Sequence, residues 1–210
     1  MSEEHIRRKA LKITFLGDST VGKTCICNRI LKLDFREGSL ATVGKDKMVC
    51  KMKMRDGKEM KIVLWDTAGQ ERFFAIAVNT VKNAQGILLV FDVGNRKSFE
   101  NVNMWLEQIR LNSGIVPVVL FGNKCDIDKE KRVVSKEEAE ELADKLNMKY
   151  FETSAKENIG IDEGFEEIIN SAYDTFKYST GKDLNDVNSK EKGGCCLTKG
   201  SNSSKKKSKK

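Results

Sequence analysis

The sequence predicts an α/β fold in which a six-stranded, mostly parallel sheet carries one antiparallel edge strand and helices on both faces. Three observations predict it. The apolar run Leu11–Leu16 leads into Gly17-Asp18-Ser19-Thr20-Val21-Gly22-Lys23-Thr24, after which Ile26, Ile30 and Leu33 recur at helical spacing. Lys47–Met54 alternates Met and Cys with Lys and Val, then meets Glu59–Trp65 across Arg55-Asp56-Gly57-Lys58, an Asp-Gly hairpin signal. Ile87–Phe91 and Val116–Phe121 are continuous apolar runs, as parallel strands buried on both faces require, and amphipathic segments alternate with them.

In chain order, residues 1–9 are polar and are expected to be disordered. The helix after the glycine loop is expected to run to about Leu33, and Asp34–Asp46, which has no period, reads as a functional loop. Met48, Cys50, Met52 and Met54 face inward, while the outward lysines suit a sheet edge. Trp65 falls on the polar face of the return strand, as a cap over its end or as part of a partner surface. Phe99, Val102, Leu106 and Ile109 predict a helix with Trp105 beside its stripe. Ser135 and Glu138 form a capping box opening a helix to Leu146, and Lys149–Thr153 is the last strand. Phe165, Ile168, Ile169, Ala172 and Phe176 mark the final helix. One domain is thus expected over 10–177, followed by a flexible tail over 178–210.

Charge divides at the same place. The net charge is +7, and residues 187–210 hold eight Lys and one Glu; removing them from 38 basic and 31 acidic residues leaves 30 of each. A neutral domain with a basic tail argues against nucleic acid as a ligand and for an anionic surface met by the tail. No stretch has the length and apolarity of a membrane span, and the N-terminus has neither an apolar signal core nor a glycine after Met1. His5 is the single histidine, so Cys25, Cys27, Cys50 and Cys125 show no zinc-ligand spacing and read as small packing residues in a reducing compartment.

Four motifs each close a predicted strand. Residues 17–24 fit the Walker A pattern, whose glycines let backbone N–H groups curl around a phosphate at a helix N-terminus; Lys23 then neutralises phosphate oxygens and Thr24 offers a hydroxyl to Mg²⁺. Asp66, in Asp66-Thr67-Ala68-Gly69-Gln70-Glu71, stands where an acid can hold the same ion, and Gly69 lets a backbone N–H approach the γ-phosphate. Asn123-Lys124-Cys125-Asp126 and Glu152-Thr153-Ser154-Ala155-Lys156 follow later strands. A carboxylate such as Asp126 can accept from both N1–H and the exocyclic amine of guanine, a donor pair adenine lacks. These residues point to a P-loop NTPase that reads guanine, and Asn123-Lys124-Cys125-Asp126 nearly excludes an ATP-using P-loop kinase.

With these motifs the sequence resembles the small GTPases of the Ras superfamily, and most closely the Rab branch, over about residues 8–176. The resemblance implies a GTP-hydrolysing molecular switch, slow on its own, in vesicle or membrane trafficking, with Mg²⁺ as cofactor and GTP and GDP as substrate and product. It implies nucleotide contacts from Asp18 to Cys25, with Phe35 and Lys124 on opposite sides of the guanine and Ser154, Ala155 and Lys156 supporting it. Thr42, with Thr24 and Asp66, would complete the metal site, and Gln70 would orient the attacking water beside Lys23, Thr42 and Gly69. Effectors, an exchange factor and an activating protein would bind residues 34–47, Trp65 and 67–82 of a monomer. The cytosolic face of an intracellular membrane would be met by the tail, with Cys195 and Cys196 lipidated.

The departures from the Rab pattern are as specific. Lys45 stands where Rabs carry an aliphatic residue, and Lys47 and Thr80 stand where two aromatics of their effector triad are expected; Trp65 keeps the third. Fourteen residues, Leu197–Lys210, follow the paired cysteines that Rabs carry at or near the C-terminus. Two other readings therefore stay open: a GTP-bound interaction module with negligible turnover, and a soluble or nuclear small GTPase.

Overall fold

The computed structural model describes residues 10–33, 45–67 and 79–180. Its strands are β1 (Ala10–Leu16), β2 (Lys45–Lys53), β3 (Glu59–Thr67), β4 (Gly86–Asp92), β5 (Val118–Asn123) and β6 (Lys149–Thr153). They form one sheet in the order β2-β3-β1-β4-β5-β6, with β2 antiparallel to β3 and every other pair parallel. Parallel strands need crossovers, and here these bring in the helices α1 (Lys23–Ile30), α2 (Arg96–Glu100), α3 (Val102–Ser113) and α4 (Lys136–Lys145), while α5 (Ile161–Thr180) follows β6.

The period-two pattern of the strands sends side chains to two separate cores. Leu11, Ile13, Phe15, Ile62, Leu64 and Leu88 pack with Ile26 and Ile30 of α1 and with Phe165, Ile168 and Ile169 of α5. On the other face Ile87, Leu89, Phe91 and Leu120 pack with Phe99, Val102, Leu106 and Ile109 and with Ala139 and Ala143 of α4. Both faces of β4 and β5 are thereby buried, which explains their unbroken apolar runs. All strands but β2 point their C-terminal ends to one edge of the sheet, and the glycine loop sits there.

Several boundaries differ from those read in the sequence. Helix α1 ends at Ile30, because Lys32 takes φ 59°, and Leu33 is exposed outside it. The stripe Phe99–Ile109 is two helices broken at Asn101, with Asn95 capping the first through its bond from the Ser98 N–H. Trp105 lies inside the core at 4% exposure. Strand β2 already begins at Lys45. Ser135 caps α4 through the Glu138 N–H at 3.1 Å, but the Glu138 carboxylate pairs with Arg96, so half of the capping box forms. The last helix continues past Lys177 to Thr180. Among the described residues no helix is long and apolar enough to cross a membrane.

The Asp-Gly turn between β2 and β3 forms as expected, with Gly57 at φ 82° and the Met54 N–H bonded to the Lys58 carbonyl at 2.8 Å. It also holds the end of the chain's last helix. Asp56 accepts hydrogen bonds from Lys177 Nζ at 2.8 Å and from the Tyr173 hydroxyl at 3.0 Å. The bond from Lys177, with those from the Lys58 N–H and Tyr173, brings the Asp56 carboxyl down to about 2. A depressed carboxyl contributes stability above its unfolded value, near 4, and loses it as pH falls through the folded value. In hydrogen exchange at neutral pH, Asp56→Asn is expected to speed amide exchange around Tyr173–Lys177 about threefold while leaving the β4 amides unchanged. The gap between variant and parent closes as the pH drops from 4 toward 2; a gap that persists there contradicts the assignment.

Candidate functional site

The sheet's C-terminal edge assembles three loops around one concave site. In the glycine loop, Gly17 (φ 134°) passes so close to β4 that a Cβ would strike the Val90 carbonyl oxygen, and Gly22 (φ 100°) leaves no room for a Cβ beside the Asn123 amide nitrogen. Thr20 also takes a left-handed φ of 64° and is exposed, while Val21 is buried. Helix α1 starts at Lys23 without a side-chain cap, so its first N–H groups point into the loop, a geometry suited to an anion.

Lys23 is buried, and its ammonium donates to the carbonyls of Gly17 at 3.0 Å and Asp18 at 2.6 Å, spanning the loop. Burial lowers it to about 8, against the opposing charges of Asp66 and Asp18. Thr24 Oγ1 donates to Asp66 Oδ2 at 2.5 Å, and Asp66 is fully buried at the end of β3. A hydroxyl and a carboxylate in contact are the hard oxygen donors that Mg²⁺ prefers, so this pair fits the ion the motifs imply. Bound there, Mg²⁺ would supply positive charge against phosphate oxygens.

The base-reading motifs meet across β5 and β6. Asn123 is buried; its amide donates to the Val21 carbonyl at 2.8 Å, and its oxygen accepts from the Ala155 N–H at 3.2 Å and the Thr153 hydroxyl at 3.3 Å. Ser154 Oγ donates to Asp126 Oδ1 at 2.5 Å, which fixes the carboxylate. Lys124, at φ 68°, pairs with Asp92 at 2.6 Å, which holds its ammonium at the end of β4. Cys125 is half-buried; burial, with the charges of Glu152 and Asp126, raises its thiol, against a nucleophilic role. Cys25 is partly exposed against the first core, and among the described residues no cluster of His, Cys, Asp and Glu could hold a metal.

Asp18, Ser19, Thr20, Val21, Gly22, Lys23, Thr24, Cys25, Asp66, Asn123, Lys124, Asp126, Ser154, Ala155 and Lys156 thus lie on the three loops or their flanking residues. Phe35, Thr42, Gly69, Gln70, Cys195 and Cys196 lie outside the described residues. The partner stretch 67–82 needs correction where it is described: Thr67, Thr80 and Val81 are buried, and the Thr80 carbonyl accepts from Thr14, so Thr80 offers no side-chain surface in place of the missing aromatic. Trp65 is half-exposed, with Lys12 Nζ 4.8 Å and Lys47 Nζ 6.0 Å from its ring centre.

Two supports escaped the sequence reading. The Asp18 side chain turns away from the cradle and accepts from Asn101 Nδ2 and from the Trp105 indole N–H, each at 2.7 Å. Arg29 of α1 donates to the carbonyls of Ala155 and Lys156, tying that helix to the base loop. The available signal was a Trp beside an apolar stripe, with an Asn four residues before it. Trp105→Phe keeps the ring and deletes one bond to a charged acceptor, a change of about 1.5–3 kcal/mol. It is expected to speed release of a fluorescent GDP analogue about tenfold or more; an unchanged release rate would show that Asp18 needs no such support.

The comparisons with known proteins bear on the family of the whole domain. The Ras family model matches residues 12–174. Ras-related protein Rab-13 of Bos taurus is 40% identical over 178 residues, covering 84% of this chain and 85% of that protein. Rab-13 of Rattus norvegicus is 41% identical over 158 residues (75% and 77%), and Rab-8A of Bos taurus is 43% identical over 155 (73% and 74%). Phosphate loop, base-reading loops, sheet order and these matches converge: the chain belongs to the Ras family, as a Rab-like small GTPase that binds and hydrolyses GTP with Mg²⁺ as its cofactor.

Proposed function

We propose that this chain is a nucleotide-gated switch of vesicle and membrane trafficking, with its roles divided among the residues gathered at the sheet edge. The observation that carries the reading is the buried Asn123 carboxamide, which joins the phosphate loop to the base loop and so makes one continuous nucleotide cradle. Residues 18–25 hold the phosphates, with Lys23 as the charge and Thr24 with Asp66 as protein donors to the metal. Asp126, steadied by Ser154, reads guanine, and Ala155 and Lys156 back it. Phe35 and Lys124 flank the base.

Turnover then needs a water and a charge. Gln70 orients the water, and Thr42 and Gly69 contact the γ-phosphate side, so that two loops are ordered with GTP and released after hydrolysis. None of the motifs sets an arginine against the phosphates, and one supplied by an activating protein adds roughly 10³–10⁵ in rate. Effectors and exchange factors, the partners of this family, meet residues 34–47, Trp65 and exposed parts of 67–82 on a monomer.

The tail is the membrane half of the proposal. Cys195 and Cys196 carry lipid, and the lysines after them add about 1 kcal/mol each at an anionic leaflet. One lipid chain alone is marginal, whereas a chain with a basic patch holds a protein on the cytosolic face of a membrane.

Two measurements test the halves separately. In single-turnover hydrolysis, Gln70→Leu is expected to keep GTP binding and to slow cleavage at least about tenfold, as loss of a positioning group does; equal rates would remove Gln70 from the mechanism. In fractionated cells, the double change Cys195→Ser/Cys196→Ser is expected to move the protein from membranes to the soluble fraction. Unchanged membrane retention, with bare thiols in the parent's intact mass, would end the lipid proposal.

A further inference from the structure

Strand pairing gathers lysines on the face of β1, β3 and β2 that continues from the one packed by α2, α3 and α4. Lys47 stands opposite Trp65, Val49 opposite Val63, and Lys51 opposite Lys61, while Lys12 lies beside Val63. The second core includes residues of β4 and β5 and none of β2 or β3, so those helices stop short of this area. Lys47, Lys51 and Lys53 are exposed, Lys61 is partly exposed, and Val49 is 48% exposed. The acid on this face is Glu59, paired with Lys51 at 2.8 Å.

Edge protection accounts for lysines on β2 alone. It does not account for Lys61 on β3 or Lys12 on β1, which are interior strands. Nor does it account for Lys51 directly opposite Lys61, where like charges destabilise the pairing. Between the charges lie Trp65 and Val49, an apolar centre ringed by cations. We propose that this face docks an acidic, extended segment of a partner protein, one whose carboxylates alternate around an apolar side chain. Alternate residues of a strand repeat at about 6.8 Å, which separates Lys51 from Lys53, and Lys47 stands two such repeats from Lys51 with Val49 between them. A lipid surface or a nucleic acid satisfies the charges but brings no side chain for the Trp65–Val49 centre. The inference rests on the reading of Trp65 as partner surface and specifies the partner's chemistry.

The test uses the full chain loaded with a non-hydrolysable GTP analogue and a fluorescent peptide, Glu-Val-Glu-Leu-Glu-Val-Glu, with its Gln-for-Glu counterpart as control. The acidic peptide is expected to bind, to shift the Trp65 indole N–H signal in NMR, and to weaken as salt rises. The combination Lys47→Gln/Lys51→Gln/Lys61→Gln, which removes the charge and keeps a polar side chain, is expected to lose at least about tenfold in affinity, and the Glu series more. Equal binding of the control peptide, or undiminished binding by the Gln series, overturns the proposal. So does binding of vesicles of equal parts phosphatidylcholine and phosphatidylserine through these lysines when the peptide does not bind. Acidic-peptide binding that is equal in the GDP form leaves the docking surface standing and counts against its gating by nucleotide.

Discussion

A single buried side chain, Asn123, holds the nucleotide site in one piece. Its amide reaches back to the Val21 carbonyl in the glycine loop, while its oxygen collects the N–H of Ala155 and the hydroxyl of Thr153. An unsatisfied buried polar group costs about 1–3 kcal/mol, so each of these partners depends on the others being present. The demand runs outward. Gly22 must lack a side chain because its Cβ would strike the Asn123 amide, and the glycine loop can close over a phosphate only because that space is kept clear. Recognition of phosphate and recognition of base therefore share one geometric constraint, although their residues lie about a hundred positions apart in the chain.

The sheet makes that constraint satisfiable. Parallel pairing of β1, β3, β4, β5 and β6 brings the ends of five strands to the same edge, and each end carries one motif or its support. Helices α2 and α3 then hold the loop from the second side through Asn101, Trp105 and Asp18. A hydrogen bond to a charged acceptor is among the stronger ones available, and here two converge on one carboxylate. The loop is thus held at its start by Asp18 and near its end by Asn123, which leaves the N–H groups between them pre-oriented before any phosphate arrives.

What could be read from the sequence divides along the same lines. The phosphate loop, the base motifs, the hairpin and the alternation of strands and helices are local patterns, and local physics writes them: glycine where φ is positive, apolar runs where both faces are covered. The long-range supports were not legible. Periodicity assigns Trp105 to the neighbourhood of an apolar stripe but cannot name an Asp18 acceptor that lies 87 residues away. The break at Asn101 is silent as well, because Phe99 and Val102 keep helical spacing across it. Leu33 continues the spacing of Ile26 and Ile30 although the backbone has already turned at Lys32. A hydrophobic period records which residues are apolar, and says nothing of where a helix is stopped by backbone geometry.

Strand alternation also bears on how a nucleotide state can be communicated. Trp65 and Asp66 are neighbours on β3, so they must point to opposite sides: the indole lies with Lys12 and Lys47 on the outer face, and the carboxylate meets Thr24 in the site. Any shift of this strand end that follows the carboxylate proposed to hold the metal also displaces the indole. At its other end the same hairpin is fixed to α5 through Asp56, Tyr173 and Lys177. The Trp65 end of β3 is thus the end nearer the glycine loop, and the basic face lies there. Lys47, which stands where the Rab pattern has an aromatic, changes the charge of this face while the pairing of β2 with β3 is kept.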